Sequence, residues 1–416
     1  MVYLAGDNNL DSAGVVDLRE MKKIGSTDAI NIIAQFDRQG RNISTRRFYL
    51  RTGGTLDMDA VASLGETNTG DPKVLEDFIL WGAKKYPAQH YLVVIWNHGQ
   101  GWDDTDIYRV AKNTLKLNIN RHGLVMGEAL QESKSSIPFR QIRSVASRNF
   151  RRALFSTSLE KAVTTRAIAL DDNAGDFLDN IELKRLFLSV KKELGRKIDL
   201  LGMDACLMSM AEVMYQIRDS VMFGVGSEET EPGDGWPYDR ILSELAATPA
   251  MTPQELSAVI VEKYLASYSP RDGVTQSACD LSKSKEMAAA IDALSRTLTQ
   301  GLSDPSTKTA IIMSRNQVQS YANPDYIDLK DFCKLLQIYS NRSNIKSACK
   351  NLIDVLFENR TVLSSGYKGN GVKNSHGLSI YFPIRKVSPI YSRLDLVKKT
   401  AWCNFLHEYI TKTAKR

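Results

Sequence analysis

Along its first half this chain switches repeatedly between short apolar runs and longer stretches in which apolar residues return every three or four positions. That rhythm leaves few folds open. Strands separated by helices cannot pair as hairpins, so they assemble into a mostly parallel sheet with helices on both faces, an α/β fold. Strands are expected at Met1–Ala5, Ala29–Phe36, Ser44–Leu50, Gln89–Trp96, Lys197–Met203 and Val221–Ser227. Helices are expected at Asp11–Lys23, Asp71–Tyr86, Leu178–Leu194 and Ser209–Ile217. Asp71-Pro72 opens one of these with an acidic cap and a residue preset for the first turn.

Two stretches break the rhythm. Asp106–Arg166 is polar, basic and without periodicity, and a structureless segment of that length inside a compact domain is rare unless it is functional or disordered. We read it as an exposed insertion. After residue 245 the pattern becomes mainly helical, at Thr252–Tyr268, Ser284–Gly301, Asp325–Tyr339, Asn344–Phe357 and Asp395–Lys412, with strands at Ser277–Leu281 and Gly377–Phe382. The expected division is a sheet domain over 1–245, containing the insertion 106–166, and a mainly helical C-terminal domain over 246–416 that contributes the late strand 377–382.

A net charge of +6 invites a nucleic-acid reading, but Arg109–Arg166 alone holds 12 Lys and Arg against three acidic residues, and the rest of the chain is close to neutral. That segment offers only Phe139, Phe150 and Phe155 for stacking and contains no recognisable module, so nucleic-acid binding is not expected. No apolar run approaches the roughly 18 residues of a membrane span. The five cysteines (Cys206, Cys279, Cys333, Cys349 and Cys403) are odd in number, with neither CxxC nor zinc-like spacing. Neither a disulfide framework nor a metal site is expected, and a nucleophilic thiol stays in play. The chain opens directly on a strand, from which we expect that a leader precedes it.

In open parallel sheets, reactive groups collect just past the carboxyl ends of strands. Two such ends carry chemistry here. One strand runs into Asn97-His98-Gly99-Gln100-Gly101-Trp102, the other into Asp204-Ala205-Cys206-Leu207-Met208. If the two strands are neighbours, His98 meets Cys206, and an imidazole beside a thiol generates the thiolate nucleophile. Gly99 would then offer an unobstructed backbone N–H to an oxyanion. The plain alternatives are a small apolar filler for Cys206 and a hydrogen-bonded loop residue for His98. Cys333 and Cys349 fall on helical apolar faces, Cys279 lies inside a strand and Cys403 in the last helix. His376 precedes the late strand instead of following one, which makes it a weaker rival for the base.

These blocks resemble a known family. Leu200-Leu201-Gly202-Met203-Asp204-Ala205-Cys206-Leu207-Met208 and Trp96-Asn97-His98-Gly99-Gln100-Gly101-Trp102 are similar to the two catalytic blocks of clostripain-type cysteine peptidases, in the caspase-like clan that includes the gingipains. Gln35-Phe36-Asp37-Arg38, Gly65-Glu66-Thr67-Asn68-Thr69-Gly70-Asp71-Pro72 and Gly377-Leu378-Ser379-Ile380-Tyr381-Phe382-Pro383 look like the same family, so the resemblance covers nearly the whole chain. It implies a caspase-like fold and a Cys206/His98 dyad with no obligatory third member. It also implies thiolate attack, an acyl-enzyme, and an oxyanion held by the N–H groups of Gly99 and Cys206.

The resemblance further implies cleavage after Arg or Lys, which needs a carboxylate near the nucleophile. Asp234, flanked by glycines that permit close approach of a ligand, is the first choice and Asp204 the second; Asp204 could instead cap the helix that follows. For Glu228, Glu229 and Glu231 a solvated acidic turn is expected. An enzyme of that specificity, with a basic loop between its His and its Cys, is liable to cut itself there. Lys112, Arg148, Arg152 and Arg166 are the candidate bonds, and the products would be two chains that stay associated. The plain alternative is a solvated loop with no processing role. The chemistry requires no cofactor. Calcium as an activator is implied by the family alone, since the loop Asp171–Asp176 lacks the closing Glu of an EF-hand. The expected partners are proteins or peptides with basic residues, and the expected location is secreted or in the cell envelope. The competing reading is an inactive caspase-like scaffold, which has no chemical need for His98, Gly99 and Cys206 together.

Overall fold

The computed structural model describes residues 1–8, 10–40, 43–97, 99, 101–102 and 178–414. Its centre is a nine-stranded sheet among the described residues. The strands, in chain order, are β1 (Val2–Gly6), β2 (Ile33–Arg38), β3 (Arg46–Tyr49), β4 (Ala60–Ser63), β5 (Leu92–Trp96), β6 (Ile198–Asp204), β7 (Val221–Gly226), β8 (Val274–Asp280) and β10 (Val362–Lys368). Their spatial order is β10-β8-β7-β6-β5-β1-β2-β3-β4. The run from β7 to β2 is parallel, and β8, β10, β3 and β4 extend it antiparallel at either side. β1 lies between β2 and β5, so the strand order reverses there.

The central strands are apolar throughout because both of their faces are covered. From β1, β5 and β6 the side chains of Tyr3, Ala5, Val93, Ile95, Leu201 and Met203 enter one core layer. The alternate residues Val2, Leu4, Val94, Trp96 and Leu200 enter the other. Helices Pro72–Lys85, Asn180–Leu194 and Ala211–Ile217 cover the first layer, and Asp11–Ile24, Tyr238–Ala247 and Pro253–Ser267 the second. The expected α/β sandwich is present. Asp71 caps its helix through a bond from the Lys73 N–H, and Thr252 and Glu255 form a reciprocal capping box before Pro253.

The second half holds more strand than its mainly helical pattern suggests. β8 and β10, the latter not anticipated, continue the main sheet. The late strand is shorter than expected. As β11 (Ser379–Tyr381) it pairs with β9 (Tyr326–Asp328) in a separate two-stranded ribbon. β9 occupies the start of the segment read as a single helix from Asp325, which becomes helical only at Leu329. The long helix expected at Asp395–Lys412 is two, Asp395–Lys399 and Trp402–Thr413.

Gly202 shows how tightly the sheet is packed beside the site. A methyl built there lies 2.8 Å from the Trp236 ring and 3.3 Å from Val94 Cγ2. Gly202→Ala should therefore overpack the core and destabilise the protein by about 1–3 kcal/mol, read as a lower denaturant midpoint with unchanged slope.

Candidate active site

β5 and β6 are parallel neighbours in register from Leu92↔Leu200 to Trp96↔Asp204. The two strands therefore release their chains at one level. The Asn97 N–H donates to the Asp204 carbonyl at 3.3 Å, and Asn8, just past β1, donates from Nδ2 to Asn97 Oδ1 at 3.3 Å. The site thus sits at the carboxyl ends of β1, β5 and β6, where the strand order reverses.

Cys206 lies two residues beyond β6 and is 3 % exposed. Leu207, immediately after it, has φ +63°, a left-handed conformation that a branched side chain adopts only under constraint. The constraint is visible. The Leu207 N–H donates to the Glu229 carbonyl at 3.1 Å and the Ser209 N–H to the Ser227 carbonyl at 2.8 Å, which stitches the cysteine loop to the loop after β7. From that second loop the Glu231 N–H donates to Cys206 Sγ at 3.3 Å.

Gly99 presses against the cysteine from the β5 side. A Cβ added to it would fall 2.3 Å from the Cys206 carbonyl oxygen and 2.8 Å from its nitrogen. Only glycine fits there. His98 lies outside the described residues, as do the candidate cleavage positions Lys112, Arg148, Arg152 and Arg166 and the Asp171–Asp176 loop. Among the described residues no group of three or more His, Cys, Asp or Glu side chains is placed to hold a metal ion, so no step below is routed through calcium.

Of the two acidic candidates, Asp204 is the one beside Cys206. It lines a small cleft together with Cys206, Glu231 and Gly235, and it caps no helix: the helix that follows begins after Met210, without a side-chain cap. Its carboxylate accepts from Tyr238 OH at 2.8 Å and from the Trp236 N–H at 3.3 Å. Burial raises its pKa to about 6, against the opposing pull of hydrogen bonds from Glu231, Tyr238 and Trp236. Asp234 is exposed, between Gly233 and Gly235 of the cleft wall.

The solvated turn expected for the glutamates is corrected. Glu228 is 1 % exposed and Glu231 4 % exposed. Burial pushes both well above the usual carboxylate range, Glu228 further raised by Asp328 and Glu231 by Asp204. Three glutamates in four residues read as a solvent-facing turn by composition. The signal that could have placed them was their position, directly after the strand beside β6.

The rivals are otherwise engaged. His376 pairs through Nδ1 with Asp328 at 3.0 Å and receives Lys334 Nζ on Nε2 at 2.8 Å, so neither nitrogen is available to a thiol. Cys279 is held by burial up to about 12. Cys333 is raised first by its hydrogen bond with Cys349 and then by burial, and Cys403 is raised by burial. None is poised as a thiolate.

With the geometry in place, the comparisons with known proteins decide the family. The model of the clostripain family matches residues 2–114 and 156–409. The chain belongs to the clostripain family. It is a cysteine endopeptidase, a hydrolase. It is 26 % identical to clostripain of Hathewaya histolytica, over 97 % of this chain and 78 % of the relative. Among solved structures it is similar to a secreted C11 cysteine protease from Bacteroides thetaiotaomicron in complex with an irreversible peptide inhibitor (19 % identity, TM-score 0.61, 97 % of each chain). It is likewise similar to an inactive zymogen C11 protease from Parabacteroides distasonis (19 % identity, TM-score 0.61, 96 % of each chain). These likenesses show that the expected caspase-like fold of the family is present.

The Gly99 contact generates a test. In Gly99→Ala the added methyl must displace the Cys206 backbone, which should lower kcat by about 100-fold or more, the effect of a misplaced catalytic group, with an unchanged far-ultraviolet spectrum. Activity within a fewfold of the parent would exclude a role for that close approach.

Proposed function

We propose that the protein cleaves peptide bonds after Arg or Lys, with Cys206 as nucleophile and His98 as its base. The observation that carries the specificity is the buried Asp204 carboxylate lining the same cleft as Cys206. A guanidinium donates two charge-assisted hydrogen bonds to such a group and an ammonium one, and each brings a positive charge that a neutral side chain lacks. In this conformation the cleft holds about 30 Å³, close to one water. Entry of a basic side chain therefore requires the turn at 231–235 to shift outward, and Gly233 and Gly235 give it that freedom. Asp234 joins the pocket only after such a shift.

The chemistry then follows in balanced steps. His98 takes the thiol proton and the thiolate attacks the scissile carbonyl. The N–H groups of Gly99 and Cys206 hold the oxyanion while the leaving amine departs with the proton from His98. Water, deprotonated by His98, hydrolyses the acyl-enzyme and restores the thiol. Self-cleavage between His98 and Cys206, at Lys112, Arg148, Arg152 or Arg166, is proposed as the activation step, leaving two associated chains. A relative described as an inactive zymogen supports it. Export from the cytoplasm is proposed because a relative is described as secreted. No helix among the described residues is long and apolar enough to cross a membrane.

A pair of amide substrates ending in Arg and in citrulline, its neutral isostere, tests this reading. The Arg substrate should be cleaved and Cys206→Ala should abolish turnover. Asp204→Asn should lower kcat/KM for Arg by about 30-fold, roughly 2 kcal/mol, and barely change it for citrulline. As pH falls below about 6 Asp204 gains its proton, so the preference for Arg over citrulline should shrink in the parent and stay flat in Asp204→Asn. Equal cleavage of both substrates at pH 7 would sink the specificity.

Self-processing is checked by electrophoresis. The active enzyme should run as two fragments and Cys206→Ala as one chain. Equal fragmentation of both would assign the cut to another protease.

A further inference from the structure

Glu231 stands where the nucleophile and the proposed pocket meet. Its backbone holds Cys206 Sγ, and its side chain lines the cleft that Asp204 lines. Gln276 Nε2 donates to Glu231 Oε1 at 3.1 Å, and the Glu231 and Asp204 carboxyls share a hydrogen bond. Oε2 is buried and receives no N–H donor from the described residues.

The charged and titratable groups around it are of one kind. Asp204 and Cys206 face it from the end of β6, and Tyr238 and Tyr264 from the two helices beneath. Asp17 and Glu20 of the first helix stand behind Asp204. Neither Glu231 nor Asp204 forms an ion pair with a Lys or Arg among the described residues.

We propose that Glu231 is a second specificity carboxyl of the pocket, carrying a proton in the empty enzyme and releasing it to solvent when a cationic side chain enters beside Asp204. The proposal rests on the Arg/Lys reading above and deepens it. Two carboxyls sharing one buried cleft cannot both be charged without a cation between them. Burial and the Asp204 charge drive the proton onto Glu231, and the hydrogen bond from Glu231 helps to keep Asp204 ionised. An entering guanidinium reverses that balance: it favours both charges and donates to the carboxylate that the lost proton leaves behind. Binding of the cation and loss of one proton are then linked.

The test uses propylguanidinium, a capped arginine side chain, as a competitive inhibitor of Arg-amide hydrolysis. With one proton released per ligand, its inhibition constant should fall as pH rises above about 6, where Asp204 is ionised, by up to about tenfold for each pH unit gained. In Glu231→Gln, which carries no titrating proton, the constant should be flat over that range. Identical pH slopes in parent and variant would overturn the role of Glu231 while leaving Arg specificity standing. Should the variant not fold, calorimetry of the parent in buffers of different ionisation heat counts the protons directly: about one at pH 7.5 supports the proposal, none overturns it. If the Arg amide is cleaved no faster than its citrulline counterpart, the specificity reading has failed, and this proposal falls with it.

Discussion

The site depends on the register between β5 and β6. Because Trp96 stands opposite Asp204, the chain leaves both strands at the same height, and Gly99 arrives against the backbone of Cys206. The same register sends Asp204 to the face that holds Trp96 and Trp236, where Tyr238 and the Trp236 backbone receive its carboxylate. A slip of one residue would turn Asp204 into the opposite layer and carry Cys206 away from Gly99. That slip is prevented well away from the chemistry, by apolar residues of β5 and β6 that alternate between two filled layers.

The nucleophile loop is held from the C-terminal half of the chain as much as from the first. Ser209 bonds both Ser277 of β8 and the Gly377 carbonyl at 2.7 Å, and Ser379 of β11 donates its N–H back to the Ser209 carbonyl at 3.0 Å. Thr275 Oγ1 accepts from the N–H groups of Glu228 and Glu229, and Glu228 accepts from the Gly377 N–H at 2.7 Å. Glu228 can sit there because burial, reinforced by Asp328, keeps it protonated. Buried polar groups that are all partnered define one arrangement, whereas apolar packing tolerates several. The left-handed turn at Leu207 is held by bonds of this kind.

Much of this was legible in the sequence, for physical reasons. The parallel core showed because strands buried on both faces must be apolar at every position, and the amphipathic helices between them showed through their period. The place of Cys206 followed from position, since strand ends are where a sheet presents groups, while His98 lies outside the described residues. What stayed hidden depends on tertiary partners. β10, with Ser364, Ser365 and Gly366 at its middle, carries no apolar alternation and is a strand only because β8 lies beside it. β9 has three residues and exists only to pair with β11. Glu228 and Glu231 were misjudged because charge normally signals solvent, and nothing local reveals that Gly377 and Gln276 wait to bond them. Asp204 could be read as a helix cap or as a pocket residue, and the cap is excluded only in three dimensions, where its carboxylate bonds Tyr238, 34 positions further on, and the next helix begins after Met210.

How the fold treats its other buried acids gives the cleft its meaning. Asp59 is buried, which raises its pKa, yet bonds from Lys22 and Arg51 outweigh that and leave it lowered. Asp395 is treated the same way by Lys184 and Arg218. In these two cases a cation relieves the carboxylate, whereas at Glu212 burial outweighs the bonds from Tyr381 and Tyr391 and raises it to about 7. Among the described residues the cleft acids have no Lys or Arg partner: burial, then Asp204 and Glu20, raise Asp17 to about 9, and Asp204 and Glu231 shift upward beside it. Protonation is the only relief available to such a group in the empty state. A cluster of that kind weakens the fold compared with apolar side chains of the same size, so its presence requires a return elsewhere. Under the proposed Arg/Lys specificity a substrate cation provides it, because the attraction left unused in the empty enzyme is then available to the substrate.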